Sequence, residues 1–117
     1  MNEYLLLFRN ASGPGAYLST TQDMAEDMPK WQAWIGNIAM QGKLVSTAPI
    51  EYEGAFISNE GTTAHPYKEE NSVLISGYLI CKADSLQEAE AWSKTCPILK
   101  YLHSSVEIRP LISFPIN

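Results

Sequence analysis

Two cysteines among 117 residues are too few for a disulfide framework, and Cys81 and Cys96 match neither a CxxC redox pair nor a zinc knuckle. Both are expected as buried thiols, the usual state of a free cysteine. Histidine is equally scarce: His65 and His103 stand at no recognisable ligand spacing, so no metal site is predicted. There is no glycine-rich phosphate loop and no Ser-His-Asp or Cys-His signature, and no cofactor is expected. Basic residues are outnumbered, 8 Lys and Arg against 13 Asp and Glu, for a net charge of −5. That balance argues against binding nucleic acid or an anionic membrane surface, which need clustered cations. No apolar run reaches membrane-spanning length, and the run that follows Met1-Asn2-Glu3 is too short for a signal peptide, so the reading predicts a cytoplasmic protein. Compositional breaks, internal repeats and low-complexity segments are also missing, which predicts one domain over residues 1–117.

What is present is apolar strand. In Val73-Leu74-Ile75-Ser76-Gly77-Tyr78-Leu79-Ile80-Cys81-Lys82-Ala83 both alternating faces are apolar, with Val73, Ile75, Leu79, Cys81 and Ala83 assigned to one and Leu74, Tyr78 and Ile80 to the other. Such a strand is central and needs a layer on each side. Tyr4 to Phe8 reads the same way and gives a second central strand. The chain offers only two helices, enough for one side, so a second subunit is expected over the other.

From Gln22 to Gln41 the apolar residues Met24, Met28, Trp31, Ile35, Ile38 and Ala39 recur at helical steps, and Gly42 sits where a helix C-terminus favours a left-handed residue. Pro29 predicts a kink or a start near Asp27, and the apolar stripe that passes through it favours the kink. Lys43 to Ile50 and Ala55 to Ser58 read as strands that together make an edge hairpin. Ser85-Leu86-Gln87-Glu88 is a capping box, and Leu86, Ala89, Trp92, Ser93 and Cys96 give the inner face of a second helix limited by Pro97. Ser105-Val106-Glu107-Ile108-Arg109-Pro110 alternates apolar with charged residues, as an edge strand with one wet face does. The order predicts an α+β, ferredoxin-like βαββαβ domain with an extra short hairpin, its first and third main strands central.

Tyr4-Leu5-Leu6-Leu7-Phe8-Arg9, Lys30-Trp31-Gln32-Ala33-Trp34-Ile35, Gln41-Gly42-Lys43-Leu44, Ser76-Gly77-Tyr78, Ser85-Leu86-Gln87-Glu88-Ala89, Cys96-Pro97-Ile98-Leu99 and Val106-Glu107-Ile108-Arg109-Pro110 together resemble the YCII-related, or DGPF, family over nearly the whole chain. The resemblance implies a homodimer in which two ferredoxin-like sheets pack face to face as a dimeric α/β barrel. It also implies a small-molecule enzyme or binding protein, because YCII-related proteins have been proposed to act through a His and Asp pair. In place of the family's Asp-Gly-Pro-Phe this sequence has Ala64-His65-Pro66-Tyr67. Ala64 can neither act as a base nor orient a histidine, so whether any reaction is catalysed stays open. Members are often encoded beside extracytoplasmic-function sigma factors, which implies an alternative, a non-catalytic accessory or regulatory protein.

His65 is the candidate catalytic residue, since an imidazole exchanges protons near neutral pH; the plain alternative is an ordinary loop histidine. Arg9, Tyr67 and Tyr78 are the candidate substrate-binding residues. Arg9 offers a bidentate fork for a carboxylate or phosphate, against the alternative of an ion pair with Glu3, Glu107 or a neighbouring acid. Tyr78, with Ser76 on the same face, could place hydroxyls beside Tyr67. Trp31, Trp34 and Trp92 read as helix-to-sheet packing, and His103 as a solvent-facing loop residue.

Overall fold

The computed structural model describes residues 1–12, 21–51, 54–64 and 72–112. Its elements are β1 (Asn2–Ser12), α1 (Thr21–Met40), β2 (Leu44–Pro49), β3 (Ala55–Ser58), β4 (Gly61–Ala64), β5 (Ser72–Ala83), α2 (Leu86–Ser93), a 3₁₀ turn (Pro97–Lys100) and β6 (Ser105–Pro110). The main sheet has the order β2-β5-β1-β6, antiparallel throughout. With β3 and β4 set aside, this is the strand order of a ferredoxin-like α+β fold, and the two most apolar strands, β1 and β5, are the central pair.

Both helices lie on one side of the sheet. Tyr4, Leu6 and Phe8 from β1 and Leu79, Cys81 and Ala83 from β5 form one core with Trp34 and Ile38 of α1, Ala89 of α2, Cys96 and Ile98. Phe8 meets Trp31 and Trp34 edge-on at centroid distances of 5.1 and 5.8 Å, a geometry that aromatic quadrupoles favour. Trp34 Nε1 donates to the Trp92 carbonyl at 3.0 Å and so joins the helices to each other.

Local signals set the ends of these elements. At the end of α1, Gly42 has φ 72°, its amide donates to the Ala39 carbonyl and the Lys43 amide donates to the Ile38 carbonyl, which makes a Schellman C-cap. At the start of α2, the Glu88 amide donates to Ser85 Oγ at 3.2 Å. The Glu88 carboxylate accepts from the Asp84 amide, one residue before the partner that a standard capping box uses.

Four expectations are corrected. Helix α1 begins at Thr21 and runs on through Pro29, so it does not start near Asp27. Its inner stripe is Asp27, Trp31, Trp34 and Ile38, while Met28 and Ala39 are exposed. The hairpin joins β3 to β4 and does not involve β2, which pairs with β5 instead. Its turn is Asn59-Glu60, and Phe56 and Ile57 of β3 are exposed. Finally, the β1–β5 register skips Ser76: Phe8 pairs with Gly77 but Arg9 pairs with Ile75. One extra residue exchanges the faces beyond it, so Ile75 joins the face of Tyr78 and Ile80, and Leu74 joins the helix-covered side. Gly77 suits this spot because a Cβ there would stand 3.2 Å from the Ala48 carbonyl oxygen and 3.3 Å from the Phe8 ring.

Candidate functional site

The face away from the helices carries the sequence-predicted site residues that the structure describes. Strand pairing places Glu107, Leu7, Tyr78 and Ala48 in one row across β6, β1, β5 and β2. The next row holds Arg109, Leu5, Ile80 and Ser46, and the row on the other side holds Ser105, Arg9 and Ile75. The centre of the face is therefore aliphatic, with a charged border on β6 and hydroxyls toward β2. Leu5, Leu7, Ile75 and Ile80 are half-buried, and none belongs to the helix-side core.

Arg9 is held by Glu107. Its Nη2 donates to Glu107 Oε1 at 2.8 Å, and Arg109 Nη1 donates to Oε2 of the same carboxylate at 3.1 Å. Hydrogen bonds from Arg109 and then Arg9 hold the Glu107 carboxyl below its ordinary range, so it is ionised at neutral pH. Two guanidinium groups around one carboxylate leave one surplus positive charge. The ion-pair alternative weighed for Arg9 is thus the contact that forms. On Glu107 each guanidinium, with five N–H groups, uses a single nitrogen.

Tyr78 reaches the opposite border, where its Oη lies 3.1 Å from Ser46 Oγ. Thr47 Oγ1 donates to the Tyr78 carbonyl at 2.8 Å and fixes β2 against β5 at this point. Ser76 does not join this pair of hydroxyls, because its Oγ donates to the Phe8 carbonyl across the bulge. His65 and Tyr67 lie outside the described residues, directly after the end of β4 at Ala64. His103 is exposed with φ 65° in the turn before β6, on no site assembled here.

Arg109 and Ser46 were not singled out from the sequence. The alternation in Ser105–Pro110 is the signal for Arg109, since it puts Glu107 and Arg109 on one side of β6. Asp27 was missed as well. It is 6% exposed, and its carboxylate accepts hydrogen bonds from Lys100 Nζ and Tyr101 Oη. Burial disfavours its charge, but the bonds from Lys100 and Tyr101 outweigh burial and hold the carboxyl below its ordinary value. This cluster ties α1 to the 3₁₀ turn and is a structural clasp on the helix side.

Two further features of the helix side have no part in the site. A groove of about 270 Å³ between α2 and β6 is lined, among the described residues, by Glu90, Ser93, Lys94, Leu99, Val106 and Ile108. Burial raises the Cys81 thiol to about 11 and the Cys96 thiol to about 12, which makes both poor nucleophiles. Among the described residues no three His, Cys, Asp or Glu side chains are grouped to hold a metal ion, and no helix is long and apolar enough to cross a membrane.

No family model matches the chain, and no curated protein does. Among solved structures, 5-chloro-2-hydroxyhydroquinone dehydrochlorinase from Burkholderia phenoliruptrix, in complex with 2,5-dihydroxybenzoquinone, is similar at a TM-score of 0.48 and 17% identity, over 88% of this chain and 90% of that one.

Proposed function

We propose that this chain is a YCII-related protein that binds or acts on a small organic molecule on the helix-free face of its sheet, in a cleft closed by a second copy. The observation that carries the reading is the make-up of that face. Leu5, Leu7, Ile75 and Ile80 form an aliphatic floor that no described helix covers, while Arg9 with Glu107 stands at one border and Tyr78 with Ser46 at the other. An apolar floor with a few convergent polar groups is what a small-molecule site requires. The same floor, left in water, is an apolar patch that favours self-association. Arg9 and Tyr78 are the binding residues of this reading. His65 and Tyr67, outside the described residues, are the other candidate site residues of this reading, with His65 as the proton-transfer group if a reaction occurs. Light scattering at micromolar concentration tests the assembly: a dimer is expected, and a monodisperse monomer contradicts closure by a second copy.

A second reading, an accessory or regulatory protein, is favoured by the hairpin, whose β3 exposes Phe56 and Ile57. Under it, Phe56→Ser with Ile57→Ser abolishes binding of a protein partner and leaves any small-molecule binding intact.

A further inference from the structure

We propose that the ligand of this face is an organic monoanion, a ring-sized body with a carboxylate at one end and a hydroxyl or carbonyl at the other; the inference rests on the small-molecule reading above. Its geometry comes from a single row of the sheet. Glu107, with its two guanidinium groups, and Tyr78 are the two neighbours of Leu7 on β6 and β5. Two strand spacings separate their backbones by roughly 10 Å. Leu7 and, in the adjoining row, Leu5 and Ile80 lie between these borders as an aliphatic bed for a flat body. At one end Arg9 and Arg109 share a carboxylate that stays ionised, so the group of three charges carries one surplus positive charge and is one negative charge short of neutral. An incoming carboxylate supplies that missing charge and takes guanidinium donors that Glu107 leaves unused. At the other end the Tyr78 and Ser46 hydroxyls, 3.1 Å apart, can each donate and accept, which suits a hydroxyl or carbonyl on the ligand.

The arrangement gives Glu107 an unusual role. It orders the two arginines, but it also competes with the ligand for them and sets the charge that the site accepts. Thermal shift of the intact protein with para-hydroxybenzoate, benzoate and the neutral para-hydroxybenzamide tests this directly. The para-hydroxybenzoate anion is expected to raise the melting midpoint most, benzoate less, and the amide not at all at equal concentration. Arg109→Gln, at an exposed position, should weaken the acid by about ten-fold or more, the scale of one lost charged hydrogen bond. Glu107→Gln should tighten it, an outcome that a purely structural ion pair does not produce. If the amide binds as well as the acid, or Glu107→Gln weakens the acid, the monoanion assignment is overturned while the small-molecule reading stands. Loss of that amide binding in Leu7→Glu would then confirm the face itself. If neither acid nor amide shifts the midpoint, both the assignment and the reading beneath it fall.

Discussion

Residues that alternate along the same strands build two unlike surfaces. On the helix side Leu6 and Leu79 are fully buried and Phe8 packs edge-on against two tryptophans that also touch each other, so packing alone accounts for the residue types there. On the other side Leu5, Leu7 and Ile80 are just as apolar but only half-buried, and they are bordered by ions and hydroxyls. A lone copy gains no stability from an aliphatic stripe that meets water. Packing within one copy accounts for the residue types of the first face and leaves those of the second unaccounted for, and it is on the second that the proposed function rests.

Adjacent leucines offer the largest effect with which to break that contrast. Leu6→Ala should cost about 2–5 kcal/mol at any protein concentration, because it opens a cavity in a closed core. Leu7→Ala should cost less and should weaken self-association instead. Urea titrations of both variants at two concentrations decide it, and equal, concentration-independent losses would mean that the two faces are equivalent.

The helix side also carries an acid-sensitive clasp. Because the Asp27 carboxyl lies below its ordinary value in the fold, its ionised form is the stabilising one: the contribution is fully present above the unfolded value of about 4 and is lost as pH falls through the lower folded value. Asp27→Asn should therefore cost about 1–3 kcal/mol at neutral pH, and less in acid, where the native protein has lost the same contribution. Glu88 and Glu107 are shifted in the same direction, so the variant flattens the acid limb of a stability-versus-pH curve without removing it. An unchanged acid limb would remove Asp27 from the account.

The smallest effect is the absence of one. With both thiols raised by burial, neither Cys81 nor Cys96 should react with iodoacetamide in the native protein at mildly alkaline pH, and labelling should follow global unfolding. Prompt labelling of Cys81, detected by mass spectrometry, would show that the helix side opens locally.

The parts legible in the sequence were those written in short-range pattern. The order of the main elements, the two central strands, the Gly42 cap, the Ser85 cap and the packing of the tryptophans all follow from periodicity, capping residues or strand alternation, whereas for Arg9 the sequence left a ligand fork and several acidic partners, Glu107 among them, equally open. The bulge at Ser76 was hidden because one skipped residue leaves the composition of a strand unchanged, and only Gly77 within an apolar run hinted at it. Strand β2 was joined to the wrong neighbour because its true partner, β5, is distant in sequence, whereas β3 is near. Asp27 was not singled out because a carboxylate on a helix is usually solvated, and the partners that allow it inside arrive only with Lys100 and Tyr101. Of the four candidate site residues, Arg9 and Tyr78 share the open face, and His65 and Tyr67 lie outside the described residues.

The central claim is that the open face is completed by a second copy, and the most direct test is how the urea midpoint depends on protein concentration. The midpoint of the native chain should rise steadily as concentration is raised from nanomolar to high micromolar, while Leu7→Glu, which puts a charge on the aliphatic floor, should unfold at a midpoint that does not move. A native midpoint that is constant over the same range would contradict the account.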